Sequence, residues 1–468
     1  MLSQQQHEQP PPSWARFHTP MMAVIGSKLM DDVTMGSMIG KLLKRLGGVD
    51  ERTLEKYEKE YSGGGFRYCG YYQSSRTDTY FSGLGRDFPV QHDYLSGFIQ
   101  VKQDPKGDNR IALLYSGHKR SPKTMLKLCL LSDIRLLLIN ASNIDLSTDS
   151  EVIGEYIRLS AACGMKNLII AVNCEASNTS TNMTSQLDQL LTTLHSFLEK
   201  CRMKADNYFI IPFLLSSGDG LIEPIEPPHP KFTKKALVQV LVEVREKVVA
   251  EMNKVDVNHQ PLRATVMQVH KIGGIGTVVE CKVLSGSIRA SDNVDLVLDS
   301  GEVVKKLANS IEHFHTSIPS AFPGDFCGIN LKGVAVKNLQ KGMIIGNSSN
   351  LVTYFEANIV VHNAPEKGFR VGWTPTLHVH AAHCTCQIEE IMCKLDGNMN
   401  PIGPMDELKR GTRARVKIRP FSMLQLEEYS KCPPLGKIVL VNSHEIIAFG
   451  AVVHCKRASY SLDHELLC

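Results

Sequence analysis

Short apolar runs alternate with longer helical stretches between Met21 and about Met252. Strands that are almost continuously apolar and alternate with helices are typical of a parallel sheet covered on both faces. The predicted strands are residues 22–25, 110–115, 134–140, 167–173 and 208–215, and the predicted helices between them are 35–46, 121–132, 150–163 and 184–202.

One stretch of this α/β region, 62–110, has no clear period and is rich in Gly, Tyr, Ser and Asp. Irregular chain of that length inside an α/β domain indicates a functional or formerly functional loop region, and we expect it to be flexible. A single apolar helical stripe closes the region, and its members are Ala236, Leu237, Val240, Leu241, Val244 and Val248.

The pattern changes at residues 259–263, HQPLR. From there to about Arg457, short strands are separated by Gly, Pro, Asn and Asp, which indicates two β-barrels or sandwiches that divide near 347–353. We therefore predict an α/β plus all-β chain. The predicted divisions are a disordered tail at 1–20, an α/β domain at 21–252, barrels at 259–350 and 351–457, and a tail at 458–468.

Length, charge and cysteine usage narrow the class of protein. A chain of 468 residues suggests about three domains. Its longest apolar runs, such as Leu136–Ile139, are far shorter than the roughly 20 residues of a membrane-spanning helix. The 13 scattered cysteines and the polar, Pro-rich start favour a cytoplasmic protein with reduced thiols. A net charge of +4 neither requires nor excludes a nucleic-acid partner.

Several stretches of both predicted barrels resemble the second and third domains of eukaryotic elongation factor 1-alpha, the translational GTPase that carries aminoacyl-tRNA. The matching stretches are 261–286, 322–347, 378–396 and 433–456, with 47–60, 164–173 and 218–224 in the first domain. The resemblance covers roughly 21–457. It implies a Ras-like G domain, here degenerate, followed by two β-barrels.

The phosphate-binding loop of that family requires G-x-x-x-x-G-K-[ST], whose Lys neutralises the phosphates and whose hydroxyl binds Mg²⁺. Counted from Gly26, the Lys position falls on Asp32, and counted back from Gly47 it falls on Met35. An Asp beside a triphosphate would repel it. The pair Gly40–Lys41 is followed by a leucine and is not preceded by the required glycine. The phosphate cradle is missing, and Gly26 is a vestige of it.

The metal-binding motif of the family, D-A-P-G-H, is LYSGH in this chain, so that Leu114 replaces the Asp that holds the metal through water. Gly117 and His118 remain. The family His positions the attacking water, but without the metal and the phosphate cradle we interpret His118 as a vestigial residue.

The guanine-reading motif N-K-x-D is NCEA here: Asn173 persists, Ala176 replaces the Asp, and the last base-contacting Ser falls on Leu214. Hydrogen bonds to charged groups contribute about 1.5–3 kcal/mol each, so losing the Lys and both Asp residues costs roughly 5–9 kcal/mol. That is a factor of about 10⁴ or more in affinity. We predict neither GTP binding nor hydrolysis and no cofactor. The alternative is a rebuilt site that binds GTP and magnesium.

The pocket that receives the aminoacyl end of tRNA in the family is altered as well. By register, Glu312 matches the family Glu, whereas Phe314 and Phe326 fall at the positions of a His and an Asn. His313 and His315 flank the first of these. Either the two phenylalanines tighten the packing of the barrel, or the pocket has lost its polar groups. Delivery of charged tRNA in the manner of the family is doubtful in both cases.

The segment HVHAAHCTC at 378–386 contains imidazole and thiol groups, which bind zinc in other proteins. On a single strand, four of these side chains would lie on one face but would extend over about 27 Å, too far to bind one ion. We therefore predict no metal site. The resemblance supports this, because the family has a His at the His383 position and no metal. The four side chains that would share one strand face are His378, His380, Cys384 and Cys386.

A basic stripe alternates along one predicted strand of the last barrel, and its members are Arg413, Arg415, Lys417 and Arg419. It is either a solvated barrel face or a surface that contacts RNA or the ribosome.

Three functions are compatible with the sequence. The first is a non-catalytic binding or regulatory protein whose barrels still dock the ribosome, tRNA or an exchange subunit. The second is a working GTPase that delivers aminoacyl-tRNA from a rebuilt nucleotide site. The third is a scaffold unrelated to translation.

Overall fold

The computed structural model describes most of the chain between residues 20 and 457. The described ranges are 20–25, 32–45, 51–60, 95–100, 110–115, 122–142, 144–162, 166–175, 183–225, 230–254, 260–298, 301–313, 316–346, 351–442 and 445–457. Statements about the structure refer to these residues. The tails predicted at 1–20 and 458–468 lie outside them, apart from Pro20.

The first part of the chain forms a six-stranded sheet with helices. Its elements are β1 Met21–Ile25, α1 Asp32–Arg45, α2 Glu51–Glu60, β2 Leu95–Gln100, β3 Arg110–Tyr115, α3 Pro122–Leu131, β4 Ile134–Asn140, α4 Leu146–Ala162, β5 Leu168–Asn173, α5 Met183–Lys200, β6 Tyr208–Phe213 and α6 Leu237–Asn253. The strand order is β2-β3-β1-β4-β5-β6. Every residue of β1, β4 and β5 is buried, because helices and, at β1, residues of the barrels cover the faces of these strands. The five predicted strands are confirmed.

The edge of this sheet differs from the prediction of a parallel sheet. Strand β2 pairs antiparallel with β3, while β1 and β3–β6 run parallel. It arises within 62–110, where no strand was predicted, because its sequence LSGFIQ is short and interrupted by glycine. Residues 61–94 and 101–109 lie outside the described residues. The predicted apolar stripe is confirmed, since all six of its members on α6 and at its start are buried.

The middle of the chain forms a closed six-stranded barrel, the first barrel. Its elements are β7 Arg263–Ile272, β8 Gly276–Ser285, β9 Ile288–Arg289, β10 Asn293–Val297, β11 Val303–His313, β12 Thr316–Ile318, β13 Ser320–Ala321, β14 Phe326–Leu331 and β15 Ile344–Gly346. The order β10-β15-β7-β8-β14-β11 closes through a pairing of β11 with β10.

The last part forms a second closed six-stranded barrel, the second barrel. Its elements are β16 Val352–Val361, β17 Thr376–Val379, β18 Ala382–Leu395, β19 Pro401–Gly403, β20 Arg413–Pro420, α7 Pro433–Gly436, β21 Lys437–Asn442 and β22 Glu445–Arg457. The order β17-β21-β22-β16-β20-β18 closes through β18 and β17. Buried residues alternate with less buried ones along β20, as expected for a barrel strand.

All three parts meet at one buried cluster, the domain junction, which consists of Met21, Ala23, Leu131, Met267, Phe326 and Ala381. Beside it, Lys282 of β8 is buried, and its ammonium group donates to the carboxylate of Asp133, with both oxygens at 2.7 Å. The same carboxylate accepts the backbone N–H of Met21 at 2.9 Å. One ion pair therefore joins the first barrel to the sheet.

The two barrels are fastened to each other by polar groups as well. Arg263 of β7 forms a two-pronged ion pair with Glu427, whose side chain is only 2% exposed. The His380 ring lies between Thr265 Oγ1, 3.0 Å from its Nδ1, and the Gln425 carbonyl oxygen, 2.9 Å from its Nε2. Since a carbonyl can only accept, Nε2 carries the proton.

Candidate functional site

The carboxyl ends of β4 and β5 carry two buried asparagines, Asn140 and Asn173. In open α/β sheets, ligands bind at this edge. The Asn173 Nδ2 lies 3.5 Å from Asn140 Oδ1, which also accepts the Ser142 hydroxyl at 2.9 Å. The Asn173 Oδ1 accepts the backbone N–H of Glu175 at 3.3 Å. Both ends of the Asn173 amide are thus engaged within the protein.

The loop that follows β6, residues 214–219, forms the neighbouring part of this edge. Two backbone hydrogen bonds of 2.9 Å that involve Leu214 close the loop on itself. The ammonium group of Lys41, from α1, donates to the carbonyl of Leu215 and, at 2.7 Å, to that of Ser216. A cation of the chain itself therefore binds the loop in which the family places a base-contacting Ser.

The residue after Asn173 is Cys174, in place of the Lys of the family motif. Burial raises the pKa of its thiol to about 12, and the hydrogen bond from its own N–H to the Phe213 carbonyl at 2.9 Å fixes its backbone. The thiol is neutral at physiological pH. It supplies neither the charge nor the long stem of the Lys.

The other predicted nucleotide residues are described in part or not at all. Gly26, Gly117, His118 and Ala176 lie outside the described residues. Leu114 lies in β3, with its Cα opposite Ala23 of β1. Asp32 and Met35 are backbone positions in the first turn of α1.

At two described positions of this edge, Cys174 and Leu214, the groups differ from those that the family motifs place there. The amide of Asn173 is bonded within the protein, the thiol of Cys174 is neutral, and the side chain of Leu214 is apolar. The Asp of the family motif, whose carboxylate accepts the guanine N–H groups, is replaced by Ala176 in the sequence.

The predicted tRNA-end residues of the first barrel point in different directions. Glu312 is exposed on β11, with its Cα opposite Ser317 and Gly328. Phe326 is buried in the domain junction, so this side chain packs between the domains and not in the core cluster of the first barrel. The neighbouring His313 is 2% exposed, and its Nδ1 lies 2.7 Å from the Phe326 carbonyl oxygen, which fixes the ring as a packing element. Phe314 and His315 lie outside the described residues.

The His- and Cys-containing segment at 378–386 is a hairpin, and the single strand considered from the sequence is wrong. The chain turns between β17 and β18 at His380, whose φ is +38°. This turn makes His378 and His383 cross-strand partners with ring centroids 5.6 Å apart. Within the described ranges, no three His, Cys, Asp or Glu side chains are grouped so that they could hold a metal ion.

The predicted basic stripe lies on β20 and consists of Arg413, Arg415, Lys417 and Arg419. Two of its cations share one carboxylate, since Glu389 lies 3.2 Å from Lys417 Nζ and 2.6 Å from Arg419 Nε. The Arg415 Nε donates to Asn358 Oδ1 at 2.9 Å. The stripe is thus partly charge-compensated. Contact with RNA stays a prediction.

A groove of about 850 Å³ opens on the second barrel, between the loop before β17 and the loop before β20. We call it the barrel groove. No sequence motif predicts this groove, because its walls lie in two separate loops, one around Arg370 and the other around Glu407. Its lining residues are Lys367, Gly368, Phe369, Arg370, Val371, Trp373, Glu407 and Lys409.

In the part of the chain that the structure describes, no helix is long and apolar enough to cross a membrane.

Comparison with known families and proteins gives a consistent result over nearly the whole chain. Residues 276–346 match elongation factor Tu domain 2, and residues 354–453 match the GTP-eEF1A C-terminal domain-like family. The chain is 28% identical to elongation factor 1-alpha of Entamoeba histolytica over 426 residues, which cover 88% of this chain and 91% of that protein. It is also 28% identical to elongation factor 1-alpha of Hyperthermus butylicus, covering 91% of this chain and 94% of that protein.

Solved structures agree on the fold. The GTPase-like domain of Ski7 from S. cerevisiae, bound to GTP, superimposes with a TM-score of 0.69 at 16% identity, covering 94% of this chain and 98% of that one. The elongation factor SelB from Methanococcus maripaludis, in its apo form, gives a TM-score of 0.59 at 14% identity, covering 94% and 81%. At these identities the likeness shows the fold alone.

Proposed function

We propose that this chain, an elongation factor 1-alpha-like member of the translational GTPase family, is a cytoplasmic, non-catalytic binding or regulatory protein of translation. In this proposal it neither binds GTP specifically nor hydrolyses it. The observation that carries the proposal is the rebuilt base-reading side of the sheet edge, where Leu214 stands in place of a polar residue and Lys41 binds the loop carbonyls.

The base side of the site supports the proposal through its hydrogen bonds. A guanine ring is read by an amide and a carboxylate, but the Asn173 amide already bonds Asn140 and Glu175. To bind guanine, the protein has to exchange these bonds for bonds to the ligand, without the strongest acceptor of the family motif. A binding site with unsatisfied or missing partners loses affinity by about 1–3 kcal/mol for each group.

The phosphate side supports it through charge. The position of the phosphate-binding Lys is taken by Asp32 or Met35, and Leu114 has replaced the metal-binding Asp. On this proposal, the residues at these positions support no reaction with GTP or magnesium. His118 and Gly117 remain in the sequence without the partners that would give them a catalytic role.

The barrels support a binding role in translation. Their likeness to the barrels of elongation factors extends through both, and the buried Arg263–Glu427 pair holds them in one arrangement. We propose the ribosome, tRNA or an exchange subunit as the partners. The sequence predicted the four residues of the basic stripe as candidate RNA contacts. On this proposal, the stripe along β20 contributes at least Arg413 to the contact.

A second candidate is a functional elongation factor that binds GTP and delivers aminoacyl-tRNA. One observation favours it: the Ski7 GTPase-like domain has the same fold and was solved with GTP bound. A fold of this kind is therefore able to hold GTP even in a divergent relative.

The deciding experiment measures nucleotide directly. The protein is purified, denatured and analysed by chromatography for released nucleotide, and GTP with magnesium is then titrated by calorimetry, with an elongation factor 1-alpha as positive control. We expect no released guanine nucleotide and no binding tighter than about 10 μM. Magnesium-dependent binding below that value would establish the second candidate instead. Sedimentation with ribosomes tests the translation role, and absence from every ribosomal fraction would favour the unrelated scaffold.

A further inference from the structure

The barrel groove has a floor made from two loops that are distant in the sequence. Phe369 and Leu408 exchange two backbone hydrogen bonds, of 3.0 and 2.7 Å, and so tie the walls together. The Phe369 and Trp373 rings stack with centroids 4.0 Å apart, and both pack on the core of the second barrel. Trp373 also bonds the strand beside it, since its carbonyl accepts the N–H of Ile388 at 2.9 Å.

The rim of the groove is cationic and organised. Glu407 accepts bonds from Arg370 and, at 3.0 Å, from Lys409, and these two partners hold the pKa of the Glu407 carboxyl below its ordinary value. The Arg370 and Lys409 side chains are nevertheless 73% and 57% exposed. With Lys367, the lining has three cations against one carboxylate.

The groove also exposes apolar surface. Val371 is 57% exposed, among the most exposed large apolar residues of the described chain. An apolar side chain beside cations that are fixed by a carboxylate favours a ligand that carries both apolar and acidic groups. Single-stranded RNA offers phosphates but no aliphatic group, and its affinity rests on many phosphate contacts along a basic track. Three cations in one groove are few for such a ligand.

We propose that the barrel groove binds an acidic peptide segment of a partner protein, with a large apolar side chain against Val371 and the aromatic floor, and carboxylates on Arg370, Lys409 and Lys367. This deepens the proposed function, because it names a partner class for the second barrel. Its failure is distinguishable from failure of that function, since the nucleotide measurement depends on another part of the chain.

The probe is a fluorescein-labelled peptide, Glu-Asp-Glu-Leu-Phe-Glu-Asp-Glu, titrated with the full chain and followed by anisotropy. We expect Arg370→Gln to weaken binding about fivefold to tenfold, through loss of a charge-assisted contact. Val371→Ser is expected to weaken it about threefold to tenfold, because it removes apolar contact area. The matched controls are Lys431→Gln and Val453→Ser, an exposed cation and a partly exposed valine of the same barrel outside the groove.

Three results would overturn the proposal: no binding of the peptide, equal losses in the control variants, or undiminished binding when Leu and Phe of the peptide are replaced by Ser. A uridine oligonucleotide tests the competing ligand. If it binds, and Arg370→Gln weakens it while Val371→Ser does not, the groove is an RNA site and the peptide proposal is wrong. Should Arg370→Gln lower the melting temperature, Lys367→Gln gives the charge readout, since that side chain is exposed.

Discussion

Replacing Lys282 by Met tests whether the ion pair at the domain junction holds the sheet and the first barrel together. The ammonium group bonds both oxygens of Asp133 at 2.7 Å and the Leu131 carbonyl at 2.5 Å. Methionine fills a similar volume without any donor. Asp133 then keeps its hydrogen bond from the Met21 N–H but loses its counter-charge. The Leu131 carbonyl loses the hydrogen bond that it accepts from Lys282.

The expected cost follows from burial. The Lys282 and Asp133 side chains are 5% and 21% exposed, and removing one partner of a buried pair costs about 3–5 kcal/mol. Because Asp133 keeps some contact with water, we expect the lower end, about 3 kcal/mol. A cooperative unit of 150–250 residues loses about 2–4 °C of melting temperature per kcal/mol, so the melting temperature should fall by roughly 6–12 °C.

Urea unfolding and thermal melting, followed by circular dichroism, measure this loss. Lys332→Met, at an exposed position of the same barrel, is the matched control and should stay within about 0.5 kcal/mol of the unmodified protein. The double variant with Asp133→Asn should cost clearly less than the sum of the two single variants, because they disrupt one interaction. A loss below about 0.5 kcal/mol for Lys282→Met, or strict additivity, would show that the junction is held by apolar packing alone.

Two further predictions concern the contact between the barrels. Burial lowers the pKa of His380 from 6.5 to about 4. Below about pH 6.5 the unfolded chain therefore binds a proton that the folded chain does not bind, and the free energy of unfolding decreases as the pH is lowered. Between about pH 7 and about pH 4.5 the unmodified protein should lose about 2.5 kcal/mol more unfolding free energy than His380→Gln, and equal losses would contradict this. Gly342 has φ +89°, and a Cβ there would lie 2.5 Å from the Ala382 Cβ, so Gly342→Ala should cost more than about 2 kcal/mol. Gly411→Ala, with φ +82° and open space around it, should cost only about 1 kcal/mol in the same urea unfolding experiment, and similar values for both would refute the steric argument.

Elements with a strong apolar pattern were predictable from the sequence, and elements with a weak apolar pattern were not. The run IRLLLIN, which is apolar from Leu136 to Ile139, forms β4 with the predicted bounds, because a central strand buried on both faces favours consecutive apolar residues. The edge strand β2 was missed, because a strand of six residues at the edge of a sheet has too short an apolar pattern to be recognised. Helix α2 was missed as well, because seven of its ten residues are charged and it carries little apolar signal.

The candidate site shows the same division. The resemblance to elongation factor 1-alpha identified Asn173 and the loss of its motif partners. It did not identify Lys41 as the residue that binds the neighbouring loop, because 174 positions separate Lys41 from Leu215 and only the packing of α1 brings them together. The turn at His380 was likewise hidden, since a β-strand and a tight hairpin both suit a segment of this composition.

By itself, the sequence determined the order of an α/β unit and two barrels, because burial patterns repeat every two residues in strands and about every four in helices, and these periods are local. Through the resemblance to elongation factor 1-alpha, it also identified the residues that replace those of the nucleotide motifs. The tertiary structure alone decided which side chains meet across large separations: the Lys282–Asp133 pair, the His380 contact and the barrel groove. Such contacts depend on how twisted sheets close and dock, and no local pattern records that geometry.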